Sequence, residues 1–243
     1  MLRVLTFLAA LLLTAAFAMA EGPCAPMSFG SGSYTVCRFD LRSSPLALYD
    51  LDETGEPYGS FSALAASLAS SGKTLSFAMN AGMYDDAQKP IGLYVEDGRQ
   101  LKKVNRRSGA GNFHLKPNGI FWIDGSKGGV TETEAFISSG LKPRYATQSG
   151  PMLVIDGEIH PKFSTEGTSM KIRNGVGAVD GHTIVFAISE SPVTFHDFAD
   201  LFRDGLGCRN ALFLDGSVSS LYDAATSRND RFMPLGPIVG LAR

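Results

Sequence analysis

Four polar regions of this sequence follow or enter apolar runs, and they carry side chains that can do chemistry. Together they supply carboxylates, an arginine, histidines and several amides and hydroxyls. Because the ends of strands are where a rigid scaffold presents functional groups, we take these regions as the candidate site. In order they are 79–85 (MNAGMYD), 111–122 (GNFHLKPNGIFW), 146–163 (ATQSGPMLVIDGEIHPKF), and 171–181 (KIRNGVGAVDG) together with 213–223 (FLDGSVSSLYD).

Asp215 stands out among five Asp-Gly pairs that follow apolar runs. The pairs at 97–98, 156–157 and 180–181 lead into chain that can return as a strand, so they predict hairpins. The pair at 124–125 leads into SKGGV and predicts a looser turn. Asp215 instead follows a helix and an apolar run, and it precedes Ser217 and Ser219. A hairpin is therefore less well supported at Asp215 than at the other four.

The remaining candidates each have a plain structural alternative. Arg173 has the fork geometry that binds phosphate, although a solvated surface charge is the ordinary interpretation. Asn80 is as easily a turn residue, and a hydrogen-bonded polar role is favoured for His114 over catalysis. Ser149 does not lie in a G-x-S-x-G elbow, which disfavours a serine hydrolase and leaves a hydrogen-bond donor or a turn residue.

Short apolar runs bounded by Gly, Asp and Asn predict most of the strands. Two segments have helical periodicity: 61–72, which ends at Gly72, and 194–207, where Thr194 and Asp197 resemble a capping box. Together they predict one α+β domain with a mixed or antiparallel sheet built from hairpins and covered by helices. The predicted strands are 76–79, 92–96, 119–123, 152–155, 183–189 and 211–214.

The N-terminus predicts export. Residues 1–20 have a positive start, a short apolar run and a small-x-small cleavage site, as in a signal peptide; the alternative is an uncleaved anchor. The domain then spans 21–243, secreted or periplasmic, with no second stretch long enough to cross a bilayer. Cys24 and Cys37 are expected to form a disulfide, which leaves Cys208 as a buried, inert thiol. A formal charge of −2 and the absence of a basic block make nucleic acid an unexpected partner.

Four of these motifs, in this order, resemble the phosphodiester glycosidase family. The family has Asn-Gly-Gly-Phe-Phe, a Gly-Pro strand entry, an Arg followed by a nearby glycine, and Leu-Asp-Gly-Gly-Gly-Ser. This sequence departs from that pattern at Ala81, Tyr84, Ser217 and Val218, so it is similar to a bacterial exported subgroup. The matching segments here are NAGMY (80–84), QSGPML (148–153), RNGVG (173–177) and LDGSVSS (214–220).

The resemblance implies cleavage of a sugar from a phosphodiester at the anomeric carbon. Asp215 would be the catalytic carboxylate, Arg173 would neutralise the leaving phosphate, and His114 would assist proton transfer. Asp85 would be a second carboxylate or a cation ligand. The expected substrate-binding residues are Asn80, Asp85, Asn118, Gln148, Ser149, Gly150, Ser217 and Ser219.

The expected partner is therefore a carbohydrate or a sugar linked through a phosphodiester. No cofactor requirement is evident in the sequence; a divalent cation such as Ca²⁺ is an option, although no ligand spacing establishes one. One alternative is a non-catalytic envelope module that binds a glycan or phosphorylated polymer. A metal-dependent phosphodiesterase ranks last, because clean His/Asp metal spacing is missing. The oligomeric state is left open.

Overall fold

Antiparallel strands make up most of the computed structural model, which is described here for residues 22–243. The predicted signal peptide, 1–20, lies outside the described residues. The strands in this part of the chain are β1 (Cys24–Phe29), β2 (Gly32–Asp40), β3 (Leu46–Tyr49), β4 (Leu75–Asn80), β5 (Tyr94–Glu96), β6 (Arg99–Lys102), β7 (Gly119–Asp124), β8 (Lys127–Glu132), β9 (Tyr145–Ser149), β10 (Met152–Ile155), β11 (Glu158–Ile159), β12 (Asn174–Ala178), β13 (Thr183–Ser189), β14 (Asn210–Phe213), β15 (Leu221–Asp223), β16 (Arg228–Asn229) and β17 (Ile238–Ala242).

The strands form three antiparallel sheets. The largest has the order β1-β2-β13-β12-β14-β10-β11, the second β16-β15-β4-β17-β3, and the third β6-β5-β9-β7-β8. Every predicted strand is present within a few residues of its expected bounds. With the helices below, this confirms the predicted α+β single-domain fold, in its antiparallel form.

Phenylalanine rings from all three sheets meet in the main core. The ring of Phe77 in β4 lies 4.6 Å from Phe39 in β2 and 5.3 Å from Phe186 in β13. Phe186 in turn lies 5.6 Å from Phe121 in β7. These four side chains are at most 2 % exposed. Contact among them fixes the three sheets against one another, so the strand ends that carry polar residues have fixed relative positions.

Three α-helices cover the described sheets: α1 (Phe61–Ser70), α2 (Thr133–Ser139) and α3 (Phe195–Asp200). Both predicted helices form, and the Thr194–Asp197 capping box is present; α3 continues as a π-helical turn, Leu201–Gly205. The sequence analysis did not predict α2. No helix between residues 22 and 243 is long and apolar enough to span a membrane.

The Asp-Gly pairs behave largely as predicted. Asp97 and Asp156 both adopt positive φ, at 50° and 51°, and connect the β5–β6 and β10–β11 hairpins. The pair at 180–181 joins β12 to β13. The pair at 124–125 closes a tight β7–β8 hairpin, which is more regular than the looser turn expected. After Asp215 the chain leaves its sheet, because β14 belongs to the first sheet and β15 to the second.

A disulfide joins Cys24 to Cys37 across the β1–β2 pair, as predicted. Cys208 is free and buried, and burial raises the pKa of its thiol to about 12. We expect the double variant Cys24→Ala/Cys37→Ala to lower the free energy of unfolding by about 3 kcal/mol, because the crosslink restricts the unfolded chain over 13 residues. Urea denaturation measures the change. Reduction of the parent chain should reproduce it, and an unchanged midpoint after verified reduction would contradict it.

Candidate functional site

Backbone hydrogen bonds bring the polar regions together where β4, β12 and β14 end or begin. The Phe213 amide donates to the Pro151 carbonyl at 3.0 Å, and the Leu214 amide donates to the Asn174 carbonyl at 3.1 Å. These two bonds join the 146–163 and 171–181 regions to the strand that leads into Asp215. The 79–85 region joins them through Asn80, the last residue of β4.

Two buried asparagines hold the loop that follows Asp215. Asn80 Nδ2 donates to the Asp215 carbonyl at 3.0 Å, and Asn80 Oδ1 accepts from Asn174 Nδ2 and from the Ser220 amide, each at 2.9 Å. Ser219 Oγ donates to Asn174 Oδ1 at 3.1 Å. The amide of Asn80 therefore positions the Asp215 loop. Asn174 is a member of this network that the sequence analysis missed, although it adjoins Arg173 in the RNG motif.

The Asp215 carboxylate is half-buried at the start of this loop. Its Oδ1 accepts the Ser217 amide at 3.0 Å. Burial raises the pKa of Asp215, while the hydrogen bonds from Ser217 oppose the rise. The charge of Asp215 also contributes to the raised pKa of Tyr84, about 12, after the larger effect of burial. The Tyr84 hydroxyl donates to the Pro234 carbonyl.

Arg173 is almost fully buried. The alternative interpretation of Arg173 as a solvated surface charge is therefore wrong. Its Nε donates to the Val193 carbonyl at 3.0 Å and its Nη2 to the Ser169 carbonyl at 2.7 Å. The guanidinium carbon lies 3.6 Å from the centre of the Phe195 ring and 5.7 Å from that of Phe213. Burial lowers the pKa of Arg173 to about 10, which keeps the side chain charged at neutral pH.

No ion pair within residues 22–243 includes Arg173. A buried guanidinium that lacks a carboxylate is costly unless another anion compensates it. The backbones that carry Asp215 and Arg173 are adjacent, because the Leu214 amide donates to the Asn174 carbonyl. The two side chains do not form a salt bridge.

Gln148 and Asn118 make their hydrogen bonds inside the chain. Gln148 Oε1 accepts the amides of Leu93 and Asn105 at 3.0 and 2.9 Å, and its Nε2 donates to the Asn105 carbonyl at 2.9 Å. Asn118 Nδ2 donates to the Phe113 carbonyl at 2.9 Å. These contacts show that both side chains position neighbouring backbone. Direct substrate binding by either residue stays a prediction.

Replacement of Gln148 by Leu tests the positioning role. We expect the free energy of unfolding to fall by about 2 kcal/mol, because buried backbone donors lose their acceptor. Gln100→Leu, on an exposed strand, is the matched control and should change stability little. Thermal and urea denaturation of both variants provide the measurement. Equal stability of Gln148→Leu and the parent chain would refute the role.

Ser149 and Gly150 directly precede Pro151, whose carbonyl accepts the Phe213 amide of the strand leading to Asp215. Ser149 is fully buried and its hydroxyl has no hydrogen-bond partner among the described residues. A side chain at Gly150 would place its Cβ 2.7 Å from that of Asn118 and 2.9 Å from the Phe113 carbonyl oxygen. The glycine therefore permits the backbone to lie against the segment that carries His114.

The other predicted residues lie toward the periphery. His114 is half-buried; its Nδ1 lies 3.0 Å from the Arg107 carbonyl oxygen, and its ring faces a cavity of about 720 Å³. Asp85 is exposed, and its carboxylate accepts the amides of Ala87 and Lys89 at 3.0 and 3.1 Å in its own turn. Ser217 is exposed beside Asp215. None of the hydrogen bonds described for His114 or Asp85 joins them to Asp215, and their predicted roles stay predictions.

Between residues 22 and 243, no three His, Cys, Asp or Glu side chains lie close enough together to hold a metal ion. A divalent cation such as Ca²⁺ stays a prediction.

Two solved structures have a fold similar to that of this chain. The catalytic domain of zebrafish N-acetylglucosamine-1-phosphodiester α-N-acetylglucosaminidase, auto-inhibited by its pro-peptide, is similar over 90 % of this chain and 81 % of its own, with a TM-score of 0.56 and 14 % identity. A hypothetical protein from Synechocystis is similar with a TM-score of 0.54 and 13 % identity, over 90 % of this chain and 61 % of its own. These likenesses show the fold.

Residues 73–235 match the family model described as phosphodiester glycosidase, so the chain belongs to that family. An uncharacterized Escherichia coli K12 protein, YigE, is 37 % identical over 215 residues, which cover 88 % of this chain and 83 % of that one. The family resemblance expected from the four motifs is thereby confirmed.

The departures from the family pattern have physical consequences. Ala81 and Val218 are both buried, so each adds apolar contact where the pattern has glycine. Val218 lies in a hydrophobic cluster with Phe61 and Leu64 of α1. The loop that begins at Asp215 is thus held by the asparagine network on one side and by the packing of Val218 on the other.

Proposed function

We propose that this chain hydrolyses glycosyl phosphodiesters, breaking the bond between the anomeric carbon of the sugar and the phosphate oxygen. The observation that carries the proposal is a half-buried carboxylate, Asp215, on a loop whose backbone is held by Asn80. The adjoining segment, bonded to it through the Leu214 amide and the Asn174 carbonyl, carries the buried Arg173, which has no carboxylate partner among the described residues. Membership in the phosphodiester glycosidase family supports the same reaction class.

The roles follow from the chemistry of the bond. As the C1–O bond breaks, its electron pair leaves with the phosphate, which becomes a monoester. The charge on Arg173 stabilises the negative charge that develops there, so a strong general acid is not required. The Asp215 carboxylate stabilises the positive charge at C1 and accepts a proton from the water whose hydroxyl is transferred to the sugar. The Ser149 hydroxyl has no hydrogen-bond partner among the described residues, but it is fully buried, and its contact with a ligand stays a prediction.

We also propose that the protein works outside the cytoplasm. The Cys24–Cys37 disulfide supports this location, because such bonds persist in oxidising compartments.

Hydrolysis in ¹⁸O-labelled water tests the reaction directly. A panel of sugar 1-phosphodiesters is incubated with the chain, and the products are analysed by mass spectrometry. We expect one ¹⁸O atom in the released sugar and none in the phosphomonoester, because the water attacks carbon. Label in the phosphate would instead indicate a phosphodiesterase. Tight binding without product would indicate a non-catalytic glycan-binding module, and either outcome would overturn the proposal.

A further inference from the structure

A basic groove lies beside the candidate site. It has a volume of about 720 Å³, and we define it by Lys102, Lys103, Arg106, Arg107 and His114. No acidic residue lines it, and its apolar wall includes Leu101, which is 50 % exposed. This local concentration of positive charge contrasts with the formal net charge of −2 for the whole chain. The sequence analysis recognised no basic block here, although only Val104 and Asn105 separate Lys102-Lys103 from Arg106-Arg107.

Most of the positive charge in the basic groove is uncompensated. Arg106 donates two hydrogen bonds to Glu134, of 2.9 and 2.7 Å, which neutralise it. In the part of the chain that the structure describes, no ion pair involves Lys102, Lys103 or Arg107. Three free cations along one concave surface attract a ligand that carries several negative charges more strongly than a ligand that carries one.

Side chains of the 111–122 and 146–163 regions fix the basic groove by bonding to its backbone. Gln148 bonds the amide and the carbonyl of Asn105, in the centre of the basic segment. His114 lies 3.0 Å from the Arg107 carbonyl oxygen, and Lys116 Nζ donates to the Arg106 carbonyl at 2.7 Å. Gln148 is three residues before Pro151, whose carbonyl accepts the amide of Phe213 in the strand leading to Asp215. A continuous set of contacts therefore runs from the groove to the Asp215 strand.

We propose that the basic groove binds the phosphates of a glycan chain whose sugars are joined by phosphodiesters, while the candidate site acts on one of those diesters. This inference rests on the proposed function and names its substrate class as a polymer. Cations at Lys102, Lys103 and Arg107 contact successive phosphates, and the exposed face of Leu101 contacts sugar rings. Nucleic acid has the same repeated charge, but a site for glycosyl phosphodiesters beside the groove favours the glycan.

Fluorescence anisotropy tests the groove with a labelled oligomer of glucose units joined through 1-phosphodiesters. All proteins carry Asp215→Asn so that the oligomer stays intact. The groove variant is Lys102→Glu/Lys103→Glu/Arg107→Glu. A control of equal charge change, Lys73→Glu/Lys127→Glu/Lys142→Glu, replaces exposed lysines elsewhere. We expect the groove variant to raise Kd at least roughly tenfold and to reduce the salt dependence of Kd, whereas the control should raise Kd by less than about threefold.

Three results would overturn the inference: no loss of affinity in the groove variant, equal loss in both variants, or tighter binding of single-stranded DNA of the same length than of the glycan oligomer. The proposed function is judged separately, by hydrolysis of a small sugar 1-phosphodiester by the parent chain. If that hydrolysis is missing, the proposed function fails, while the anisotropy still decides whether the groove binds a phosphodiester-linked chain.

Discussion

Replacement of Asp215 by Asn is expected to lower kcat/KM for a sugar 1-phosphodiester by roughly a thousandfold. The change removes the charge that stabilises the developing cation and assists water. It preserves the size of the side chain and an oxygen to accept the Ser217 amide. The loop should stay in place, because Asn80 bonds the backbone of residue 215 and not its side chain. Initial rates measure kcat/KM of the variant, and thermal denaturation shows whether its fold is retained.

Asp124→Asn is the matched control for this prediction. Asp124 is also followed by glycine at the end of a strand, but it lies in an exposed hairpin of the third sheet. We expect the control to change kcat/KM by less than about twofold. Turnover of a folded Asp215→Asn variant at the parent rate would remove Asp215 from the mechanism.

The pH profile provides a second readout for Asp215. Burial raises the pKa of this carboxyl above its ordinary value of 3.8. The proposed mechanism uses the ionised form, so activity should fall as the pH is lowered through the raised pKa. The acid limb of kcat/KM should therefore lie above pH 3.8. An acid limb at or below this value would show that another group controls it.

Replacement of Arg173 by Lys is expected to lower kcat/KM roughly a hundredfold, because lysine cannot keep the planar fork of donors that a phosphate needs. It also loses the stacked guanidinium over Phe195. Stability should fall as well, since the two hydrogen bonds to Ser169 and Val193 carbonyls depend on arginine geometry. Rates are measured well below the melting temperature of the variant, so that only folded protein is compared.

The leaving group separates catalysis by Arg173 from a structural role. If Arg173 neutralises the departing phosphate, the loss should shrink for diesters whose phosphate leaves as a weaker base. Arg228→Lys is the control, because Arg228 is half-buried and paired with Glu190 and Asp230. That variant should lose some stability without any dependence on leaving group. A uniform loss across all leaving groups in Arg173→Lys would assign it a structural role.

Local patterns were sufficient to predict much of the fold. Apolar runs such as 183–189 predict strands because their neighbours, Asp180-Gly181 and the Ser-Pro at 191–192, end the pattern on both sides. The Thr194–Asp197 capping box is likewise a local interaction, and it forms as predicted. Helix α2 was missed because its cap is Glu132, whose side chain accepts the Glu134 and Ala135 amides and is not among the preferred capping types.

The assembly of the site depends on contacts that no local pattern contains. The side chain of Asn80 meets Asn174 and Ser220, which lie 94 and 140 residues further along the chain. Arg173 is buried because Phe195 and Phe213 supply apolar faces beneath its guanidinium, and sequence spacing alone favours an exposed arginine. Several site residues could thus be predicted from their position at strand ends. Only the fold could distinguish the residues that position the backbone from those that face a ligand.

Val218 has a consequence for the entropy of ligand binding. A loop with three glycines after the aspartate would sample many backbone conformations and would lose that freedom when a ligand orders it. Here the side chain of Val218 is buried under α1, and Ser219 and Ser220 are bonded to Asn174 and Asn80. Much of the conformational restriction therefore occurs when the protein folds. The loop is preorganised, and a ligand that fits it binds with a smaller entropic penalty than it would on a glycine-rich loop.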